Sequence, residues 1–260
     1  MLMIPKIILH FSLKEATGRS TVSTTEAFLL GRMKENVLLI DMDTNGTATN
    51  VFAKTFNIKN DFDKSIYKGF AKKDLNSEIV DITENISFIP GGWETNLLSK
   101  TIGKNSLSSD LYTLRKLISN IKRKFNYILI DAPSSRDVIS SNAIMASDYI
   151  FLILENQKLS YTFFSEAVEY LVNLKSKFGC KFKVSGILLY LSRGNISSDA
   201  NKNFVEESKK KFGKAVLNNF LWYQERANNF NYKGIKTEEI WDERALKMYQ
   251  SILNEELTRF

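Results

Sequence analysis

Short apolar runs alternate along this chain with longer segments in which apolar residues recur at helical spacing. The runs are rich in isoleucine, leucine and valine, which is typical of strands buried on both faces. The predicted strands comprise residues 4–11, 36–41, 86–89, 127–131, 149–154 and 184–191. The predicted helices comprise residues 20–33, 111–124, 164–177 and 245–260. This alternation indicates an α/β fold in one domain, residues 1–260, with a mostly parallel twisted sheet and helices on both faces.

Two segments fit this pattern less well. The helix predicted over residues 20–33 has an apolar face that contains Val22, Leu29, Leu30 and Met33. Glu26 lies on that same face, where a carboxylate is unexpected. The segment 61–85 is polar, and we expect it to form a helix and an excursion loop.

The scarcity of cysteine and histidine excludes several classes of protein. Cys180 is the single cysteine, so a disulfide framework and a four-cysteine metal site within one chain are excluded. His10 is the single histidine, which argues against zinc catalysis by histidine ligands and against a Ser-His-Asp triad. Because His10 lies in a predicted strand, we expect it to be a hydrogen-bonded core residue.

Charge and hydropathy indicate the compartment and the class of partner. No apolar run approaches the roughly 18–20 residues that span a bilayer, and the N-terminus lacks the basic region of a signal peptide. We therefore expect a cytoplasmic protein. Lys and Arg outnumber Asp and Glu by 36 to 29, a net charge of +7, which favours nucleic acid or an anionic membrane surface as a partner.

Polar segments follow three of the predicted strands, at residues 14–21, 41–47 and 131–135. Ligands of open parallel sheets bind outside the carboxyl ends of the strands. In the first segment, Gly18, Arg19 and Ser20 open a helix, which suits a phosphate group and a Mg²⁺ ion. Carboxylates at the ends of the other two strands, Asp41 and Asp131, could complete the magnesium shell and orient water. The sequence thus predicts a site for a nucleotide with Mg²⁺.

Together the three segments resemble the deviant Walker A ATPases of the ParA/MinD family, which have the P-loop NTPase fold. In this alignment Lys14 is the signature lysine, and Glu15 and Ala16 replace two glycines. Arg19 replaces a lysine, and Ser20 stands at the Thr/Ser position. The segment 38–49 (LLIDMDTNGTAT) is similar to the second family motif, and 128–135 (ILIDAPSS) is similar to Walker B.

The resemblance implies a role for each matched residue. Lys14 and Asp41 would be catalytic, with Asp41 acting on magnesium-bound or attacking water. The Mg²⁺ ligands would be Ser20, Asp41 and Asp131. ATP would be bound by Thr17, Gly18, Arg19, Ser20, Thr21 and Arg226. Trp222 and Tyr223 also fall near the family's base-binding region, although an aromatic pair is more often part of core packing.

The resemblance is nearest to plasmid and chromosome partition ATPases. It implies a Mg·ATP-dependent homodimer in which Lys14 crosses to the partner's phosphates. The dimer would bind double-stranded DNA nonspecifically on the nucleoid. A centromere-binding partner protein would stimulate its ATP hydrolysis. The altered loop leads us to expect weak or conditional hydrolysis. The alternative is a degenerate, non-hydrolysing member that acts as a structural or regulatory DNA-binding scaffold.

Two further features bear on partners. Residues 245–260 have an apolar stripe of Leu246, Tyr249, Leu253 and Leu257. We interpret this segment as a docked terminal helix rather than a membrane anchor, because its other face mixes acidic and basic residues. The basic runs at residues 72–73, 122–124 and 209–211 are each typical of a solvated helix face, but together they could form a DNA-binding surface.

Overall fold

One sheet of eight strands forms the centre of the computed structural model, which describes residues 4–102 and 108–260. Its strands are β1 (Lys6–Phe11), β2 (Val37–Asp41), β3 (Val80–Asp81), β4 (Ile86–Ile89), β5 (Tyr127–Asp131), β6 (Tyr149–Glu155), β7 (Lys183–Leu191) and β8 (Leu221–Trp222). Their order is β3-β4-β2-β5-β1-β6-β7-β8. All neighbours are parallel except β3 and β4. The predicted α/β fold is confirmed.

Helices connect the strands and cover both faces of the sheet. They are α1 (Arg19–Arg32), α2 (Thr47–Thr55), α3 (Ile66–Lys72), α4 (Leu98–Ile102), α5 (Ser108–Leu111), α6 (Thr113–Ser119), α7 (Val138–Ala146), α8 (Lys158–Phe178), α9 (Asp199–Phe212), α10 (Glu225–Lys233) and α11 (Ile240–Leu257). Successive strand residues point to opposite faces, so Ile7 and Leu9 join one core layer and Ile8 the other. Burial on both faces explains why the central strands are continuous apolar runs.

Two predicted segments differ from the structure in their details. The helix predicted over residues 111–124 is helical only in short pieces and ends at Ser119. There the Asn76 side chain donates to the Asn120 carbonyl and accepts from the Lys122 amide, at 3.1 and 2.9 Å, so it replaces helical hydrogen bonds. The polar segment 61–85 contains α3, as expected, and also the short edge strand β3, which was not predicted.

The C-terminal helix α11 packs against α1 and α10. Leu246, Tyr249 and Leu253 are buried, so the predicted docked helix is confirmed. No helix in the described ranges is long and apolar enough to cross a membrane.

Candidate functional site

The loop between β1 and α1 leads directly to the first helix of the fold. Gly18, the residue before α1, has φ of +81°, a conformation that glycine adopts without steric cost. No described side chain caps the start of α1. The backbone N–H groups of its first turn are therefore free to bind an anion, and the helix dipole favours negative charge there.

A cleft of about 500 Å³ opens above this loop. It is lined by the β1–α1 loop and the start of α1, by residues from the segment 43–47 after β2, and by residues from the segment 133–137 after β5. The three predicted polar segments thus meet at one edge of the sheet. A second cavity of about 240 Å³ shares Ala16, Gly18, Thr21 and Asn231 with the cleft. It is also lined by Trp222 and Tyr223.

The Arg19 side chain folds back onto its own loop. Its Nη1 donates hydrogen bonds to the carbonyl oxygen of Ser12 and, at 3.2 Å, to that of Lys14. The residue is only 8% exposed, although it also lines the cleft. The guanidinium therefore fixes the curvature of the loop and places a cation at its centre.

Lys14 forms an ion pair within its own chain. Its Nζ contacts Oε2 of Glu155, the last residue of β6. Glu155 is 3% exposed and Lys14 is 20% exposed, so the pair is largely removed from solvent. Gln157 and Ser160 donate to the same carboxylate at 2.5 and 3.3 Å. Glu155 is a partner for Lys14 that was not predicted from the sequence.

The two residues that replace family glycines have different surroundings. Ala16 has φ of +58°, in the left-handed region where a Cβ costs energy. The backbone there has the shape that suits glycine although the residue is alanine. Glu15 is exposed and lines the cleft, so it adds negative charge where an anion would bind.

Asp41 is buried and completely engaged in hydrogen bonds. Its Oδ1 accepts from the amide of Asp43 at 2.9 Å, and its Oδ2 accepts from the amide and hydroxyl of Thr49 at 2.8 and 2.7 Å. Gly91 packs so closely that a Cβ would lie 2.5 Å from the Asp41 carbonyl oxygen. Burial raises the pKa of Asp41 to about 6, and the Thr49 and Asp43 hydrogen bonds partly oppose this shift. Asp41 does not line the cleft.

Asp131 pairs with Asp41 in the register of β5 and β2, but its carboxylate has no such support. Both oxygens are buried and have no hydrogen-bond partner among the described residues. Like Asp41, Asp131 lies beneath the cleft and does not line it. Burial, and then the charge of Asp41, raise its pKa well above the usual range, while the Ser20 hydroxyl and Arg19 lower it. An unpaired buried carboxylate beside a hydroxyl fits Mg²⁺, which prefers oxygen ligands.

The remaining predicted ATP-binding residues divide between the cleft and the surface. Thr17 and Thr21 both line the cleft, and the Thr21 hydroxyl donates to Asn231 of α10 at 3.2 Å. Arg226 lines neither cavity. Its guanidinium pairs with Glu239 and lies 3.6 Å from Asp242, at the start of α11. In this arrangement Arg226 fastens α10 to α11.

Comparison with known proteins identifies the family. A sequence profile of the AAA domain, in the branch of ParA/MinD-like ATPases, matches residues 5–184, which include every segment of the cleft named above. The chain belongs to the ParA/MinD-like ATPases.

Several relatives and solved structures are similar to this ParA/MinD-like chain. Soj of Bacillus subtilis is 24% identical over 214 residues, 80% of each chain. PomZ of Myxococcus xanthus is 26% identical over 157 residues, 59% of this chain, and the match spans about half of PomZ (47%). A putative plasmid partition protein of Borrelia burgdorferi bound to AMPPNP has a TM-score of 0.78 at 24% identity, covering 99% of this chain and 100% of that one. This structural likeness shows the P-loop ATPase fold.

Asp43 is a residue of this ParA/MinD-like site that was not singled out from the sequence. It lines the cleft, and its Oδ1 accepts a hydrogen bond from the Asn45 amide at 2.9 Å. Asp41 and Asp43 are two residues apart in the same motif, so the motif alone does not show which of them reaches the cleft. The signal that could have found Asp43 is its position beyond the last residue of β2, where the chain leaves the sheet.

Proposed function

We propose that this chain is a ParA-type partition ATPase that forms a Mg·ATP-dependent dimer on nonspecific double-stranded DNA. The observation that carries the proposal is the placement of Asp131. Its unpaired carboxylate lies at the same sheet edge as the uncapped start of α1, in a family of ATPases. An anion site next to an oxygen-rich cation site is the arrangement that Mg·ATP requires.

The residues at this edge of the sheet would divide the binding tasks among them. Amides of residues 17–21 would hold the phosphates, and Arg19 would supply positive charge from beneath the loop. Ser20 and Asp131 would hold Mg²⁺, which when bound neutralises phosphate charge. The second cavity, with Trp222 and Tyr223, is large enough to receive the nucleobase. Arg226 would reach that region only after releasing Glu239.

Water activation would involve Asp41, the last residue of β2, and Asp43 just beyond it. The sequence prediction gave this role, and a role as Mg²⁺ ligand, to Asp41. Its oxygens already accept three hydrogen bonds. Asp41 would therefore act through its neighbours. Asp43 lines the cleft and has one oxygen without such a bond from the loop. We assign the orientation of water to Asp43, and to Asp41 the task of holding the loop that carries it.

Dimer formation would depend on Lys14. In the single chain its ammonium is paired with Glu155. Triphosphate in a facing protomer would compete with Glu155 for this cation, because it carries more negative charge. We assign to Lys14 the crossing contact of the dimer. Its release from Glu155 then becomes a step of dimer closure.

The surface charge supports the DNA-binding part of the proposal. The protein has a net charge of +7, and Lys209, Lys210 and Lys211 are exposed at the end of α9. By contrast, Arg123 is paired with Asp81 and Lys72 with Glu78, so these runs have less free charge. We propose a cytoplasmic, nucleoid-associated protein whose hydrolysis is stimulated by a centromere-binding partner.

A second candidate function rests on the altered loop. Ala16 has a strained backbone, Glu15 adds a negative charge, and Arg19 is hydrogen-bonded to the loop itself. These features favour slow turnover, since a misplacement of about 1 Å can cost about a hundredfold in rate. In the limit of no turnover, the chain would be a nucleotide-binding or nucleotide-free DNA scaffold.

Two measurements on the same preparation test these proposals. The first is binding to a duplex of unrelated sequence with ATP, with ADP and without nucleotide, each with Mg²⁺. The second is phosphate release with that DNA present. We expect ATP to strengthen DNA binding and phosphate release to be slow. DNA binding that is the same in all three states, with no phosphate release, would favour the scaffold. No DNA binding in any state would contradict both.

A further inference from the structure

Three ionisable side chains meet in the core, away from the nucleotide cleft. His10 comes from β1, Glu26 from α1 and Glu256 from α11. They are 1%, 0% and 0% exposed. Residues 10 and 256 are 246 positions apart in the sequence, so only the docking of the terminal helix brings them together. The role proposed for the protein uses none of the three.

The contacts within this buried cluster converge on one ring nitrogen. Nε2 of His10 lies 3.1 Å from each carboxylate oxygen of Glu256 and 3.6 Å from Oε1 of Glu26. One ligand atom from each of the three residues lies within 4.8 Å of the other two. For bonds of about 2.1 Å, neighbouring ligand atoms of a tetrahedral ion lie about 3.4 Å apart. The separations of the two carboxylates from Nε2, 3.1 and 3.6 Å, are close to this spacing.

Several buried polar atoms of the cluster have no hydrogen-bond partner among the described residues. Neither oxygen of Glu26 accepts a hydrogen bond from a described N–H or O–H donor, and Nδ1 of His10 also lacks a partner among these residues. Two ionised carboxylates buried beside a neutral imidazole carry two negative charges, which a single divalent ion balances.

We propose that His10, Glu26 and Glu256 bind a structural divalent transition-metal ion, of which Zn²⁺ is the best fit. One imidazole nitrogen and two carboxylates suit Zn²⁺, whereas Mg²⁺ and Ca²⁺ prefer shells made of oxygen alone. The site is closed to solvent, so the ion would be structural rather than catalytic. It would fasten α11 to α1 and to β1, the strand that leads into the nucleotide-binding loop.

The single histidine makes this proposal easy to test. In the full chain without a histidine tag, any imidazole-bound metal must be at residue 10. Protein would be expressed with Co²⁺ as the spectroscopic probe, purified without nucleotide, and analysed for metal content and visible absorption. Histidine labelled with ¹⁵N would report ligation in a parallel sample grown with Zn²⁺. We expect about one ion per chain and a ring-nitrogen shift of metal-bound Nε2.

Matched variants locate the ion. Glu26→Gln and Glu256→Gln should reduce the retained metal to less than about a tenth of an equivalent. Glu243→Gln is the control, because Glu243 lies on α11 but pairs with Arg32 near the surface. It should retain the ion.

If the cluster variants fail to fold, the wild-type protein still decides. The proposal would be overturned if wild type contained no transition metal and its histidine signals did not change after incubation with Co²⁺ or Zn²⁺. That result would show that the carboxylates share protons instead. Metal retained equally by both cluster variants would also overturn it.

Discussion

The ammonium group of Lys14 forms an ion pair with the carboxylate of Glu155 in the same chain. Glu155 is almost fully buried at the end of β6, where its other contacts are the neutral donors Gln157 and Ser160. A buried carboxylate that loses its cation keeps most of its desolvation cost. The lysine that would cross the dimer interface is therefore also part of the stability of the single chain.

This pairing predicts how substitutions at the two positions combine. Lys14→Ala should lower the free energy of unfolding by roughly 2–4 kcal/mol, because it leaves Glu155 buried without a cation. Adding Glu155→Gln to that variant should restore most of the loss. The measurement is urea unfolding of both single variants and the double variant. Additive effects of the two substitutions would show that the pair does not form in solution.

The backbone of Ala16 predicts a gain from glycine. Ala16→Gly should stabilise the fold by about 0.5–1 kcal/mol, since it removes a Cβ from a left-handed conformation. The control is Ala48→Gly inside α2, which should cost about 1 kcal/mol or more. Thermal unfolding of the two variants compares them directly. Loss of stability in Ala16→Gly would mean that the loop does not have this conformation in solution.

The altered loop also predicts a change in nucleotide binding. The triple variant Glu15→Gly, Ala16→Gly, Arg19→Lys returns the loop to the family pattern. It should raise ATP affinity or turnover, because the first two changes remove a charge and a strained side chain. The third replaces a guanidinium bound to Ser12 and Lys14 with a compact ammonium. Calorimetry and phosphate release measure the two effects. No gain in either would favour the scaffold function.

Asp41 and Asp43 should behave differently when each is replaced by asparagine. Asp41→Asn should cost about 1–3 kcal/mol of stability, because an amide cannot accept all three buried hydrogen bonds. Asp43→Asn keeps the acceptor for the Asn45 amide, so the fold should be unchanged. It should abolish phosphate release and leave ATP affinity within about tenfold, or 1.4 kcal/mol. The opposite assignment of the two effects would return the water-activating role to Asp41.

The end of α9 is expected to contact DNA. Lys209→Glu with Lys211→Glu should weaken binding to duplexes of any sequence and make the salt dependence less steep. The log–log slope should change by about 0.9 for each phosphate that the variant no longer neutralises. Lys177→Glu with Lys181→Glu makes the same charge change at exposed positions elsewhere and is the control. Equal weakening in the two double variants would indicate an effect of net charge alone.

Much of the fold and part of the site could be predicted because they depend on local patterns. Apolar runs ending in Asp41 and Asp131 predicted neighbouring strand ends, and the register of β2 and β5 places these residues side by side. The loop around Gly18 was also predicted, because its residues are contiguous in the sequence. What the local pattern did not show was the direction of each side chain at the strand end, so Asp43, which lines the cleft, was not singled out.

Contacts between distant parts of the chain were not predictable from local patterns. Glu155 lies far from Lys14 in the sequence. It is the last residue of a strand whose preceding residues are all apolar or aromatic. Arg226 was matched to the family by position, yet its partners Glu239 and Asp242 come later in the sequence, just before α11 and within it. The buried cluster gave one local signal, the carboxylate of Glu26 on an apolar helical face. Its partners became visible only with α11 in place.

Dimer formation driven by nucleotide is the most direct test of the central claim that this chain is a partition-type ATPase. The measurement is the mass in solution by light scattering, with Mg·ATP, with Mg·ADP and without nucleotide. Wild type is compared with the double variant Lys14→Ala, Glu155→Gln, which removes the crossing cation without leaving a buried charge. We expect wild type to become a dimer only with Mg·ATP and the double variant to stay a monomer. A wild type that remains monomeric with Mg·ATP, or a double variant that dimerises equally well, would contradict it.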